Sequence, residues 1–222
     1  MADNQVLKDA MRDFKRSVEI TRDVRFQANL RLARRQRGSA YIVSILSLYV
    51  IALSLVPNIL SLRPFQTQLL LASSVVLSVF VIFTSLIDGA QNFYHQGELL
   101  HQCARKIATV HHSLKNVDVD ADPQKAQAEF DKLQDRYARA LDECPINHDN
   151  VDYFLEIARK PHLFPDAYRW YWNAPLRGWF RLRAWALANS WVVPHCVAVV
   201  VISILVYTFV IHPSGPISKI HR

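Results

Sequence analysis

Glycine, cysteine and catalytic signatures are scarce in this 222-residue sequence, and each scarcity narrows what the chain can do. Five glycines form no P-loop, so no backbone cradle for a phosphate is available. Neither H-E-x-x-H nor G-x-S-x-G occurs, and the chain is not expected to be an enzyme. The three cysteines, Cys103, Cys144 and Cys196, show no C-x-x-C spacing. So sparse and odd a set argues against a disulfide framework and fits a reduced, cytosolic face. The acidic D-x-D-x-D over 118–122 lacks the glycine and the closing glutamate of a calcium loop. His95, His101, His111 and His112 fall on one expected helix without a cysteine cluster, as surface or packing residues. No cofactor and no metal are expected. A secretory signal peptide is not expected either, because the first apolar run begins late, at Gly38, and is too long.

What is present is apolar and segregated. Gly38–Leu62 and Pro64–Ile87 are uncharged and separated by Arg63 alone. Each exceeds the roughly 20 apolar residues that cross a hydrocarbon core about 30 Å thick. The connector Asn58–Pro64 is too short for a domain. Residues 38–88 therefore read as a transmembrane hairpin with spans at about 40–60 and 65–87. A third run, Trp191–Ile211, has 21 residues free of Asp, Glu, Lys and Arg. At about 1.5 Å per residue it covers about 31 Å, and Pro194 is tolerated in its first turn.

Charge sets the orientation. Residues 1–39 carry 10 Lys/Arg against 5 Asp/Glu, whereas 88–190 carry 13 against 14. Basic residues beside spans mark the cytoplasmic side. The N-terminus and 88–190 are thus expected inside, with the Arg63 turn and the tail 212–222 outside. Such a basic segment favours the lipid bilayer as partner, and no direct nucleic-acid binding is expected.

Residues 4–37, the helical part of the segment 1–37, read as an amphipathic basic helix. Leu7, Met11, Phe14 and Val18 recur in steps of four, three and four. Arg31, Arg34, Arg35 and Arg37 crowd its last turns, where they suit both the helix dipole and lipid headgroups. Within 89–160, Asn92–Leu114 is expected to continue the second span, with Leu99, Leu100, Cys103, Ile107 and Val110 on its apolar face. The stretch Lys115–Pro123 breaks it. Gln124–Cys144, with Ala128, Leu133, Tyr137 and Leu141 near one side, returns as the second arm of a helical hairpin. Pro145 ends that arm, and Asp149 or Asn150 caps Val151–Arg159. Residues 161–190 are aromatic and basic, and Trp170, Trp172, Trp179, Arg177, Arg181 and Arg183 are expected at a lipid interface. The fold class is an all-α membrane protein: a transmembrane hairpin, a cytosolic helical hairpin and a third C-terminal transmembrane helix.

Two constellations stand out. Ser44, Ser47, Ser54 and Asn58 share one face of the first span, and Thr67, Ser74, Ser78 and Ser85 form a stripe on the second. Small hydroxyl residues let helices approach and hydrogen-bond across an interface; the same stripes can line a pore between copies. The other constellation is Asn147-His148-x-x-x-Asp152-Tyr153. His148 and Asp152 are four apart and share a helix face. A capping network is expected, with Asn147 and Asp149 satisfying free amides and His148 bonding Asp152. A ligand or metal contact is the other use of such residues.

The order of a basic helix, two closely spaced spans, a helical hairpin and the Asn147-His148…Asp152-Tyr153 segment resembles the SLATT family over about residues 5–160. These are bacterial two-span effector domains of conflict systems, found beside nucleotide-signalling or reverse-transcriptase partners. The resemblance implies an inner-membrane antiphage effector that oligomerises and permeabilises or depolarises the membrane when triggered. The alternative is a non-permeating anchor that recruits a cytosolic enzyme. The third span departs from the two-span pattern.

Overall fold

A computed structural model describes residues 2–164 and 174–211, with side chains over 4–164 and 181–210. The described residues are helical, without a strand among them. They divide into two compact units, one of residues up to Arg34 with Phe93–Ala188, the other of Arg35–Asn92 with the segment from Asn189.

The first unit is built on α1 (Ala2–Ile59, of which residues up to Arg34 belong here), α3 (Phe93–Leu114) and α4 (Pro123–Asp142). Along α3, Phe93, Gly97, Leu100, Ala104, Ile107, His111 and Leu114 are buried in alternating steps of four and three. On α4 the buried Ala126, Phe130, Leu133 and Ala140 follow the same ladder, with half-buried Tyr137 filling the step between the last two. Leu7, Met11, Phe14 and Val18 bring the matching seam from α1 into one core with α4 and the C-terminal half of α3, while Ala28 and Leu32 pack with Phe93 and Leu100. A mean period of 3.5 is what keeps a stripe facing its neighbour along packed helices. The Phe14 ring meets Phe130 and Tyr137 edge-on, with both centroid distances 5.4 Å. Each such buried apolar side chain contributes about 1.5–3 kcal/mol relative to exposure.

One expected core position is displaced. Ala128 is exposed, and Ala126 and Phe130 hold the α4 face instead. The loop before α4 is closed by its own aspartates. Asp118 accepts the amides of Asp120 at 2.9 Å and Ala121 at 3.3 Å, and Asp122 caps α4 by accepting the Lys125 amide at 3.1 Å. Short acceptors of this kind compete with a helix and so end one. After α4 come α5 (Asn150–Arg159), a 3-10 turn (Pro161–Leu163) and α6 (Ala174–Asn189).

The second unit contains the rest of α1, α2 (Pro64–Gln91) and α7 (Val193–Val206), which continues as a π turn over Tyr207–Ile211. Its core is a leucine seam: Leu46 and Leu53 on α1, Leu70 and Leu77 on α2, each pair seven residues apart, with Ile202 of α7. Outside that seam, Leu48, Leu55, Val79, Phe83, Leu86, Val197 and Val201 are exposed. So continuous an apolar exterior suits hydrocarbon rather than water. Three helices are long and apolar enough to cross a membrane.

Several boundaries differ from the sequence reading. No break separates the basic helix from the first span, because α1 runs through Gly38 and Ser39 to Ile59. Gly38 is needed for a close approach: a Cβ there would lie 2.7 Å from the Trp191 ring. The α2 helix reaches Gln91, and Asn92 stops it in the left-handed conformation, φ 46°, with its amide on Gly89 O. Hence α3 starts afresh at Phe93. Arg63 is the N-cap of α2, its amide donating to Gln66 Oε1 at 3.0 Å, with Pro64 supplying the preset first turn. The third apolar run is less regular than a single α-helix. It opens with a 3-10 turn at Ser190–Val192 and closes in the π turn. There Gln66, buried, donates to the Val210 carbonyl at 3.0 Å.

Candidate functional site

The Asn147–Tyr153 segment folds around α5. Asp149 is the N-cap, and Asp152 at the third helical position accepts its amide at 3.1 Å. Asn147 accepts the amide of His148 at 2.9 Å. The capping part of the expectation is therefore seen, but the pairing of His148 with Asp152 is not. His148 Nδ1 is buried and has no hydrogen-bond partner. The partner of Asp152 is Arg31 of α1, whose Nε lies 2.7 Å from Oδ1 and whose Nη2 lies 2.9 Å from Oδ2. The same Nη2 also donates to Asp149. Asp152 is wholly buried, so the fork of Arg31 supplies the charge compensation that a buried carboxylate requires.

This relocates Arg31. Sequence grouped it with the lipid-facing arginines, yet its side chain is only 14% exposed and is held between two aspartates. Burial lowers its pKa, but Asp152 and Asp149 outweigh that and leave it raised.

One turn further along α5, Glu156 is equally buried, and neither carboxylate oxygen has a hydrogen-bond partner. Its cations stand off, Arg159 at 3.9 Å and Lys160 at 4.0 Å. Burial, reinforced by the nearby Asp23 carboxylate, pushes its pKa up. Lys160 is committed to Asp23 at 2.6 Å. Arg22 completes the α1 side, with Nη1 2.9 Å from His111 Nδ1. Burial first, and then the charge of Arg22, lower the His111 pKa. Burial, followed by the charge of Arg25, does the same to His148. Tyr153 stacks edge-on against the buried Phe164, ring centroids 5.3 Å apart. The segment thus acts as a docking clamp that fixes α5 to α1.

In the second unit the hydroxyl stripes divide by exposure. Ser44, Asn58 and Ser85 are exposed, Ser47, Ser54, Thr67 and Ser78 half-buried, and Ser74 buried. Ser44, Ser47, Ser54, Ser74 and Ser78 donate to carbonyls of their own helices, at 2.8 Å in each case. Asn58 likewise donates to Ser54 O at 3.4 Å. These are not the cross-helix bonds expected from the spacing. The polar links between helices are made by others: Tyr49 Oη with Ser203 Oγ at 3.1 Å, Gln66 with Val210, and Ser39 with Asp88. The leucine pairs seven apart were the signal for the seam, and the hydroxyls drew attention from it.

Of the expected interfacial anchors, Arg181 donates to Ala158 O at 3.4 Å, while Arg183 is exposed. Arg34 is exposed and Arg35 half-buried. Arg37 is exposed. Trp170 and Trp172 lie outside the described residues, as do the side chains of Arg177 and Trp179.

A helical unit with its own core, joined in one chain to three apolar helices of membrane-spanning length, defines an all-α membrane protein. Its family follows from comparison. The chain belongs to the SMODS and SLOG-associating 2TM effector domain family 5, whose model matches residues 7–211. It is accordingly a membrane effector-domain protein of conflict systems. The match runs well beyond the Asn147–Tyr153 segment and takes in the third apolar helix. No curated protein and no solved structure matches the chain.

Proposed function

We propose that this effector self-associates through the lipid-facing surfaces of its spans and, when triggered, permeabilises or depolarises a bacterial inner membrane. The observation that carries the reading is the exposure of Ser44, Asn58 and Ser85 on the membrane unit. Leucines fill the protomer's own seam, so an aqueous path would run between copies and needs polar groups on the outer surface. The charge asymmetry supports an N-terminus and 88–190 in the cytoplasm and a C-terminus outside. The role is non-enzymatic. The family description names SMODS and SLOG as associates, and a nucleotide-signalling enzyme or a reverse transcriptase would supply the trigger.

Dye-loaded cells expressing the chain provide the test. Leakage on activation is expected, and Ser44→Leu with Ser85→Leu should abolish it while cross-linked oligomers persist. Absence of ion or dye leakage under every activating condition sinks the pore reading. A second reading, a non-permeating anchor that recruits a partner, is favoured by the self-contained core of the first unit. It is distinguished by a defence phenotype that the double substitution leaves unchanged.

A further inference from the structure

The four–three ladder of the first unit has one anomalous layer. On α1 the steps Val18, Thr21, Arg25, Ala28, Leu32 place an arginine where an apolar side chain belongs. Arg25 is only 6% exposed, and its Nε and Nη1 are buried without a hydrogen-bond partner. A buried, uncompensated guanidinium is costly, so the layer has an unmet demand for negative charge. On α3, beside the ladder residue Ala104, Cys103 is also buried and close enough to feel the Arg25 charge. Continuing the α4 ladder four residues beyond Ala140 gives Cys144, half-buried and packed on the same core. Both cysteines pack on one core, with Cys103 lying beside the last turns of α4 from which Cys144 follows. Each also has a carbonyl neighbour, Ala140 O at 3.6 Å from Cys103 Sγ and Ile146 O at 3.2 Å from Cys144 Sγ. Among the described residues no group of three or more His, Cys, Asp or Glu could hold a metal, so a zinc-type site does not account for the pair.

We propose that Cys103 and Cys144 form a reversible peroxide-sensing dithiol, with Arg25 as a positioning residue for the buried thiol. Cys144, the more accessible, attacks as thiolate. Its sulfur takes one oxygen of hydrogen peroxide, the O–O bond breaks, and hydroxide leaves, giving a sulfenic acid. The Cys103 thiolate then attacks the Cys144 sulfur and expels a second hydroxide, forming the disulfide. The protons of both thiols convert the hydroxides to water, so two electrons pass from the sulfurs to the peroxide. Burial holds the Cys103 thiol at about 12, which disfavours this second step, while the Arg25 charge opposes that burial. The bond would tie α3 to the connector that leads into the Asp149 cap.

Full-length protein in detergent is treated with hydrogen peroxide, blocked with N-ethylmaleimide and mapped as peptides. A linked Cys103–Cys144 peptide, released by dithiothreitol, is expected while Cys196 remains alkylated. Cys103→Ser should leave a dimedone-reactive sulfenic acid on Cys144, and Cys144→Ser should leave Cys103 unreactive. Arg25→Met should slow disulfide formation severalfold, with sulfenic acid accumulating meanwhile, and Arg25→Lys should restore the rate. Full alkylation of both cysteines after peroxide overturns the proposal. So does a product that stops at Cys144 sulfinic acid or links different protomers. Equal rates in Arg25→Met and the parent would remove Arg25 from it.

Discussion

Asp152→Ala is the sharpest test of the clamp, because Asp152 accepts three donors while having no exposure to water at all. Two of those bonds come from Arg31 at 2.7 and 2.9 Å and one from the Asp149 amide at 3.1 Å. Removing the carboxylate leaves a guanidinium that is 14% exposed with Asp149 as its remaining acidic partner. Breaking one side of a buried ion pair costs about 3–5 kcal/mol, and the Asp152 variant belongs in that range. Asp149→Ala removes a carboxylate that is 68% exposed, together with a helix cap. Its loss should be nearer ~1–2 kcal/mol, since exposed pairs contribute little and a cap about 1 kcal/mol. The double variant Arg31→Met, Asp152→Leu replaces the pair by apolar groups and should recover most of the deficit. Urea unfolding of the detergent-solubilised chain, followed by far-ultraviolet circular dichroism, ranks the set. An Asp152→Ala variant no less stable than Asp149→Ala would refute the clamp.

Glu156→Gln should raise the urea midpoint at pH 7.5, because burial has already pushed the carboxyl's pKa up. A folded pKa above the unfolded one gives stability that is present at low pH and lost as pH rises through the folded value, so the substitution should also flatten that part of the profile. His148 and His111 have the opposite sign, both being held below the ordinary histidine range by burial and neighbouring arginines. Their unfolded forms bind more protons, so the stability present above about 6.5 is lost as pH falls from there through the lower folded values; the leucine variants should lose less on going from pH 7.5 to 5.5 than the parent. His148→Leu itself should cost under about 1 kcal/mol at pH 7.5, since it removes no bond to Asp152. Gly38→Leu should cost about 1–3 kcal/mol by driving side-chain atoms into the Trp191 ring, with a shift in tryptophan emission as the readout.

The repeating parts of the fold were legible because periodicity is local. Leu7, Met11, Phe14 and Val18 announce their seam within four turns, and uncharged runs of more than 20 residues announce a bilayer. Asp149 as a cap was legible for the same reason: the donor it serves is within one turn. Arg31 was not, because its partner lies 121 residues away and the charge rule for spans accounts for an arginine near residue 38 equally well. Asn92 was hidden inside an otherwise helical pattern, although asparagine is among the few residues that reach the left-handed region cheaply. Ala128 shows the limit of phase: alanine carries too little apolar surface to tell one side of a helix from the next.

The hydroxyl stripes carry a consequence for when assembly occurs. A serine whose only acceptor lay on another copy would be costly in lipid as a monomer, and association would be obligatory. Ser44, Ser47, Ser54, Ser74 and Ser78 each return their proton to their own helix instead. A single protomer therefore leaves none of these five donors unsatisfied in hydrocarbon, and its leucine seam is complete without a neighbour. Small residues on the outer face still permit close approach, at a modest gain per contact. A resting monomer that assembles only when a further term is added is the state this arrangement favours. Mass measurement in detergent should give a monomer of 25.5 kDa before activation. A stable oligomer in the resting chain would mean that exposed Asn58 or Ser85, rather than the back-bonded serines, already binds a second copy.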